Sequence, residues 1–248
     1  MKTITSQKNP QFRQWCDLLE GRGIKKHQRF LLSGRKTVPE VLFSARKRVD
    51  AVLVSGDAVE LKVPAGVPVF NLTAPLFKEL DESGTHSPLL VMHLPEIAEA
   101  DLTQPPKGLE VICALGDPQN VGALIRVATA FEAAKVILLT ESATPFHPKA
   151  VRSSSSTVID MNFARGPSLK DLSDPLIAKH LVAFDQAGQD LRDYKWQADV
   201  RLLFGEEGPG LPSELRQNSV RIPISPRVES LNAVSAASIA MYAYRSHI

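Results

Sequence analysis

A chain of 248 residues, 44% hydrophobic and 23% charged, has the balance of a globular protein, with length enough for one large or two modest cores. No apolar run reaches membrane-spanning length and residues 1–15 lack the apolar centre of a signal peptide, while two distant cysteines, Cys16 and Cys113, and six scattered histidines form neither a disulfide framework nor a metal-ligand spacing. A cytoplasmic protein without membrane or metal is therefore expected.

The net charge of +2 hides an asymmetry: residues 1–50 hold twelve Lys/Arg against four acids, a surplus of +8, so the rest of the chain is mildly acidic. Such a segment either faces nucleic acid or is simply a solvated basic surface. Within it, residues 11–20 predict a short amphipathic helix with Phe12, Trp15, Leu18 and Leu19 on one side. A turn at Gly21-Arg22-Gly23 follows, then the cations Lys25, Lys26 and Arg29 and a small strand over 30–32. Thr37 is placed to cap a helix through Ala45, with Glu40 completing a capping box. Strands over 51–54, 67–70 and 89–92 and a helix over 73–80 complete an α/β unit over 1–95. The Pro-rich stretch 96–108 reads as a linker.

From residue 109 the pattern alternates. A strand over 109–115, a helix over 121–131 and a strand over 136–139 make a βαβ unit with parallel strands, and further strands are predicted over 158–161, 181–184, 202–204 and 220–224. No dinucleotide-binding or Walker loop occurs. The run 202–204 instead delivers Gly205-Glu206-Glu207-Gly208-Pro209-Gly210, and 220–224 leads through Ser230-Leu231-Asn232 into an Ala/Ser-rich helix. Both loops fall at strand carboxyl ends, where open α/β sheets bind ligands. Two adjacent carboxylates disfavour a phosphate there, so a neutral or cationic ligand fits, or else the loop is a surface turn feeding a helix capped by Ser213. Asn120 is positioned to cap the helix over 121–131, and Arg126 on that helix sits beside Gly122, Ala123, Thr129 and Ala130, which leave it room. Each residue also has a purely structural reading, as cap and as exposed arginine.

The ordered segments DPQNVGALIRVATAFEAAKVILL, LLFGEEGPGL and RIPISPRVESLNAVSAASIA resemble the three motifs of the SpoU/TrmH family of RNA methyltransferases, over residues 109–248. The first hundred residues resemble, more loosely, the ribosomal-protein-like substrate domain of many members. The resemblance implies transfer of methyl from S-adenosylmethionine to a ribose 2′-hydroxyl of rRNA or tRNA, a parallel-sheet α/β domain with a deep trefoil knot, and a homodimer through that domain. It assigns Asn120, Arg126, Glu207, Ser230 and Asn232 to catalysis and Gly205, Ile222, Ile224, Leu231 and Ala233 to the cofactor. RNA contacts are expected from Arg22, Lys25, Lys26, Arg29, Arg35, Lys36 and, in AVRSSSSTV, Arg152. The alternative is a non-catalytic RNA-binding or ribosome-assembly factor that keeps the fold. The chain departs from the family's usual residues at Glu132 and Ser156, where glycine is expected, at Ile224 and Pro226, and before Gly34, where FLLSGRK lacks a glutamate.

Overall fold

The computed structural model describes residues 1–44, 48–56, 61–82, 84–205, 211–216 and 219–247. It divides into two compact units, one of Met1–Glu96 with Thr144–Val158 and one of Ile97–Ala143 with Ile159–Ile248.

The first unit is a five-stranded sheet in the order β1-β4-β3-β5-β2, formed by β1 (Lys2–Ile4), β2 (Arg29–Leu32), β3 (Val49–Ser55), β4 (Val69–Leu72) and β5 (Leu89–His93). β3 is central because Ala51, Val52, Leu53 and Val54 bury side chains on both faces. Asn9 starts α1 (Pro10–Asp17), its carboxamide oxygen accepting from the amides of Gln11 at 2.9 Å and Phe12 at 3.2 Å, with Pro10 at the first helical position. Its apolar face buries Phe12 and Trp15, and the Trp15 ring meets Phe70 of β4 edge-on at 5.1 Å. The expected turn at Gly21-Arg22-Gly23 is instead a second helix, α2 (Gly21–His27). A Cβ on Gly23 would lie 1.9 Å from the Asp17 carbonyl oxygen, so this glycine permits the approach of two backbones. Two more helices, α3 (Thr37–Ser44) and α4 (Ala74–Leu80), follow; Thr37 lies inside α3 rather than capping it, and Ala45 lies outside the described residues.

Segment Thr144–Val158 joins this unit although residues of the other flank it on both sides. Phe146 packs against Phe30 with centroids 4.9 Å apart, and the Ser156 hydroxyl donates to the Ser33 carbonyl at 3.5 Å. The segment holds α6 (Pro148–Ser153), which follows α5 (Pro118–Ala130) of the second unit in the chain. After α6 the chain turns through Ser155 and Ser156, both with left-handed backbones (φ 52° and 67°). The glycine that the resemblance leads one to expect at position 156 would relieve strain at that φ.

The second unit is a six-stranded, wholly parallel sheet in the order β11-β9-β10-β6-β7-β8. Its strands are β6 (Leu109–Cys113), β7 (Lys135–Leu138), β8 (Phe163–Arg165), β9 (Val182–Asp190), β10 (Val200–Phe204) and β11 (Val220–Arg221). Every residue of β6 and β10 is buried, as both faces of a covered parallel sheet require. The strand expected over 158–161 is a 3₁₀ turn at Thr157–Ile159, and the edge strand is β8 instead. Of the stretch 96–108, read from sequence as a linker, residues 97–108 belong to this unit: Leu102 is buried in its core and Ala100 donates its amide to the Arg165 carbonyl at 2.8 Å.

Helix α5 (Pro118–Ala130) buries Val121, Leu124, Ile125 and Ala128. It packs against α9 (Ala233–His247), whose buried stripe Ala233, Ala237, Ala240, Met241 and Tyr244 keeps helical spacing. Two short helices, α7 (Pro175–Ala178) and α8 (Ser213–Arg216), complete the unit. Helix α5 ends in a doubly bonded C-cap: the Glu132 amide donates to Thr129 and the Ala133 amide to Ala128, with Glu132 left-handed at φ 53°. Glycine is the usual residue at such a position. Here the Glu132 carboxylate instead pairs with Arg245, whose Nε also donates to the Phe131 carbonyl at 3.0 Å.

At the amino edge of this sheet, Arg201, Glu110 and Lys135 occupy one cross-strand row. The Arg201 guanidinium donates to Glu110 at 2.8 Å and to the Leu102 and Gln104 carbonyls at 3.0 and 3.3 Å, while Lys135 Nζ lies 3.6 Å from Glu110. Arg201 and Glu110 side chains are 3% and 4% exposed, and the pair persists in the interior because each guanidinium nitrogen has an acceptor. None of the described helices is long and apolar enough to cross a membrane.

Candidate active site

At the opposite, carboxyl edge, a cleft opens where β9 and β10 separate. It is lined by Phe184, Asp185 and Gln186 from β9, Phe204 and Gly205 at the end of β10, Leu211, Val220 and Ile222, and Ser230, Leu231, Ala233 and Ala236 at the start of α9. Phe184 and Phe204, register partners on neighbouring strands, stack at 4.9 Å with planes 21° apart and form an apolar wall. The polar groups on the cleft are Asp185, Gln186 and Ser230, and no basic side chain is among its described lining.

Four of the five residues assigned to the cofactor, Gly205, Ile222, Leu231 and Ala233, thus share one cleft with Ser230. Ile224 is not part of the lining; β11 stops at Arg221 and the chain has left the sheet before reaching it. Asn232 caps α9, its carboxamide oxygen accepting from the amides of Val234 at 2.9 Å and Ser235 at 3.4 Å. That cap fixes where Ser230 and Leu231 present themselves. Glu207 lies outside the described residues.

Asn120 and Arg126 stand on α5, outside the described lining of the cleft. The expected cap role belongs to another residue: Asp117 is the N-cap, its carboxylate accepting from the Asn120 amide at 2.9 Å, and Asn120 is the third helical residue. Its carboxamide is therefore released from capping. Arg126 is exposed and forms no ion pair among the described residues. A charged side chain left without a local partner is a candidate for an anionic ligand.

Of the seven cations expected to meet RNA, all fall in the first unit. Arg22, Lys25, Arg35, Lys36 and Arg152 are exposed without an ion pair among the described residues. Two are engaged. Lys26 pairs with Asp17 at 3.3 Å, and Arg29, half-buried, donates to Asp50 at 2.7 Å and to the His27 carbonyl at 3.0 Å. Hydrogen bonds from His27 and Lys26 hold the Asp17 carboxyl below its ordinary value. Ser154 is fully buried, its hydroxyl donating to the Val151 carbonyl at 2.9 Å. Cys16 is half-buried beside Glu79, and desolvation together with the Glu79 charge pushes its thiol up to about 12.

Sequence reasoning missed Phe184, Asp185 and Gln186. The rule that parallel sheets bind ligands past their strand ends would have found them, since 181–184 was already read as a strand.

The SpoU rRNA Methylase family matches residues 110–242. A protein of Syntrophobacter fumaroxidans, "Ribosomal RNA small subunit methyltransferase G 2", is 42% identical over 98% of this chain, but the chain spans only 49% of that protein, so its name describes a molecule twice as long. The "23S rRNA (guanosine(2553)-2′-O)-methyltransferase RlmP" of Bacillus subtilis is 27% identical, with 99% of this chain and 100% of that one covered. Among solved structures, the SpoU methyltransferase AviRb of Streptomyces viridochromogenes in complex with the cofactor AdoMet superposes with a TM-score of 0.78 at 25% identity, over 96% of this chain and 98% of that one.

Proposed function

The chain belongs to the SpoU rRNA methylase family, and from that membership we propose that it transfers a methyl group from S-adenosylmethionine to a ribose 2′-hydroxyl of ribosomal RNA. The observation that carries this reading is the cleft: segments distant in sequence bring Gly205, Ile222, Ser230, Leu231 and Ala233 to one place at the carboxyl edge of a parallel sheet. Its lining suits the cofactor. Apolar walls take a purine, and a lining that holds the Asp185 carboxylate and no described basic side chain tolerates a ligand whose charge is positive.

Phe184, Phe204, Leu211, Ile222 and Leu231 would hold the adenosine, and Gly205 leaves backbone exposed at the end of β10. When bound, the cofactor supplies an electrophilic methyl on a cationic sulfur. The chain's own residues then orient and activate the acceptor. A ribose hydroxyl is a poor nucleophile and must lose its proton as it attacks in line. Arg126, a donor-only guanidinium with no ion-pair partner of its own among the described residues, stabilises the developing alkoxide and its neighbouring phosphate, and the proton passes to phosphate or water. Asn120, free of capping duty, and Ser230, exposed at the cleft, offer further hydrogen bonds to the acceptor nucleotide. Glu207 is assigned here by family resemblance alone.

The first unit serves as the substrate-binding part, gripping phosphates through Arg22, Lys25, Arg35, Lys36 and Arg152, with the paired Lys26 and Arg29 contributing less. The molecule is a homodimer through its C-terminal half, a reading supported by Ile239 and Tyr242 of α9, which are 39% and 65% exposed. A trefoil knot in that half is supported by the sheet order, in which β11 returns beside β9 before α9 packs on α5. The cysteines Cys16 and Cys113, neither of them in a disulfide, support a cytoplasmic location.

The test is a map of 2′-O-methyl sites in ribosomal RNA from cells with and without the gene. One site should vanish on deletion and return with the wild-type protein but not with Arg126→Ala. An unchanged map would refute the reading.

A further inference from the structure

The cleft contains an acceptor that neither the family motifs nor the catalytic reading uses. Asp185 follows Phe184 where β9 parts from β10, and its side chain is 23% exposed. One carboxylate oxygen accepts from the Ala187 amide at 3.0 Å, which fixes the rotamer. The other lies 3.7 Å from Arg216 Nε, beyond hydrogen-bond reach, and that nitrogen already donates to the Leu211 carbonyl at 2.7 Å. Arg216 thus balances the charge without consuming the acceptor. A carboxylate offers about four acceptor sites, so Asp185 keeps unused capacity inside a mainly apolar cleft. Leaving it so in a complex would cost free energy, and a bound ligand should bring donors to it.

We propose that Asp185 reads the ribose of the methyl donor, accepting hydrogen bonds from its vicinal 2′- and 3′-hydroxyls. The proposal rests on the cleft being the cofactor site. Within that site the order of the chain selects the donor: an adenine against the Phe184–Phe204 wall leaves its own ribose beside the next residue, Asp185. Adjacent hydroxyls on one ring match the bite of a carboxylate, as an acidic residue matches the ribose in other open α/β sheets. Asp185 is on this view a specificity residue, rejecting ligands that lack the diol.

Calorimetry on the full chain tests this with three probes: S-adenosylhomocysteine, 5′-methylthioadenosine and the 2′,3′-dideoxy form of the latter. Asp185→Ala should weaken the first two by about tenfold or more, the usual consequence of losing hydrogen bonds to a charged group, and leave the dideoxy compound unaffected. Asp185→Asn, which keeps an oxygen for the Ala187 amide, should retain the fold and show a smaller loss in the same pattern. Equal losses for all three probes would make Asp185 merely structural and overturn the proposal. A loss confined to S-adenosylhomocysteine would assign it to the amino-acid end and overturn it as well. If the wild-type chain bound none of the probes, the cofactor site itself would be wrong, a failure distinct from an unaltered affinity in the variants.

Discussion

The two edges of the parallel sheet treat charge in opposite ways. At the amino edge Arg201 and Glu110 are nearly excluded from water, with Lys135 in the same row partly exposed, and each nitrogen of the guanidinium has an acceptor. At the carboxyl edge the charged and polar groups on the cleft, Asp185 and Ser230, are partly or fully exposed and under-used. A buried charge is tolerable only when its partners are fixed at folding. A site for a substrate needs groups whose partners arrive later. The same fold thus separates an end committed to stability from an end held open for chemistry.

Substitutions on the two edges should therefore fail in different assays. The largest effect is expected from Glu110→Ala, which strands Arg201 in the interior and should lower unfolding free energy by about 3–5 kcal/mol, read by urea denaturation. Should it instead cost as little as a surface change, the amino edge is not the committed end. Arg126→Ala should reverse the pattern: turnover falls by about 10²–10³, the scale for removing a group that stabilises developing negative charge, while stability shifts by less than about 0.5 kcal/mol. Arg126→Lys retaining wild-type turnover at matched affinity would show that the guanidinium fork is not needed. Glu132→Gly, at the C-terminus of α5 and away from the cleft, trades an exposed ion pair for relief of a left-handed backbone. It should raise the melting temperature slightly, a gain of under about 1 kcal/mol, and leave activity unchanged.

The smallest effect concerns acid stability. Arg192, through its side-chain and backbone donors, and Arg221 nearby hold the Asp190 carboxyl below the ordinary carboxylate range. A depressed folded value contributes stability above that range and loses it as the pH falls through the lowered value. Asp190→Asn should lower the melting temperature slightly at neutral pH and flatten its decline below about pH 4, so that variant and wild type converge in acid. A steeper acid decline in the variant would contradict that assignment.

The sequence displayed the second unit more readily than the first, for physical reasons. Strands β6 and β10 are continuous apolar runs with glycine or turn residues after them, and α5 keeps its apolar period. Helix α2 was hidden because Gly21 and Gly23 look like punctuation, although Gly23 is there to let α1 and α2 touch. Val158 and Ile159 looked like a strand, but their burial comes in a 3₁₀ turn, while the half-polar Phe163–Arg165 takes the sheet edge. In the site, Gly205 and Leu231 stood out through motif resemblance. Asp185 did not, because Asp-Gln-Ala-Gly reads as an ordinary turn and only the tertiary fold sets it in a cleft. Ile224 misled by lying in an apolar run that the sheet does not extend to.

Segment Thr144–Val158 bears on how this protein can be dissected. Phe30 is buried partly by Phe146, which arrives some hundred residues later in the chain, and Ser33 receives its hydrogen bond from Ser156. A fragment cut after residue 96 would wet that aromatic surface and invite aggregation. Swapping substrate specificity between relatives would accordingly call for a two-piece graft, with residues 144–158 transplanted alongside the amino-terminal portion.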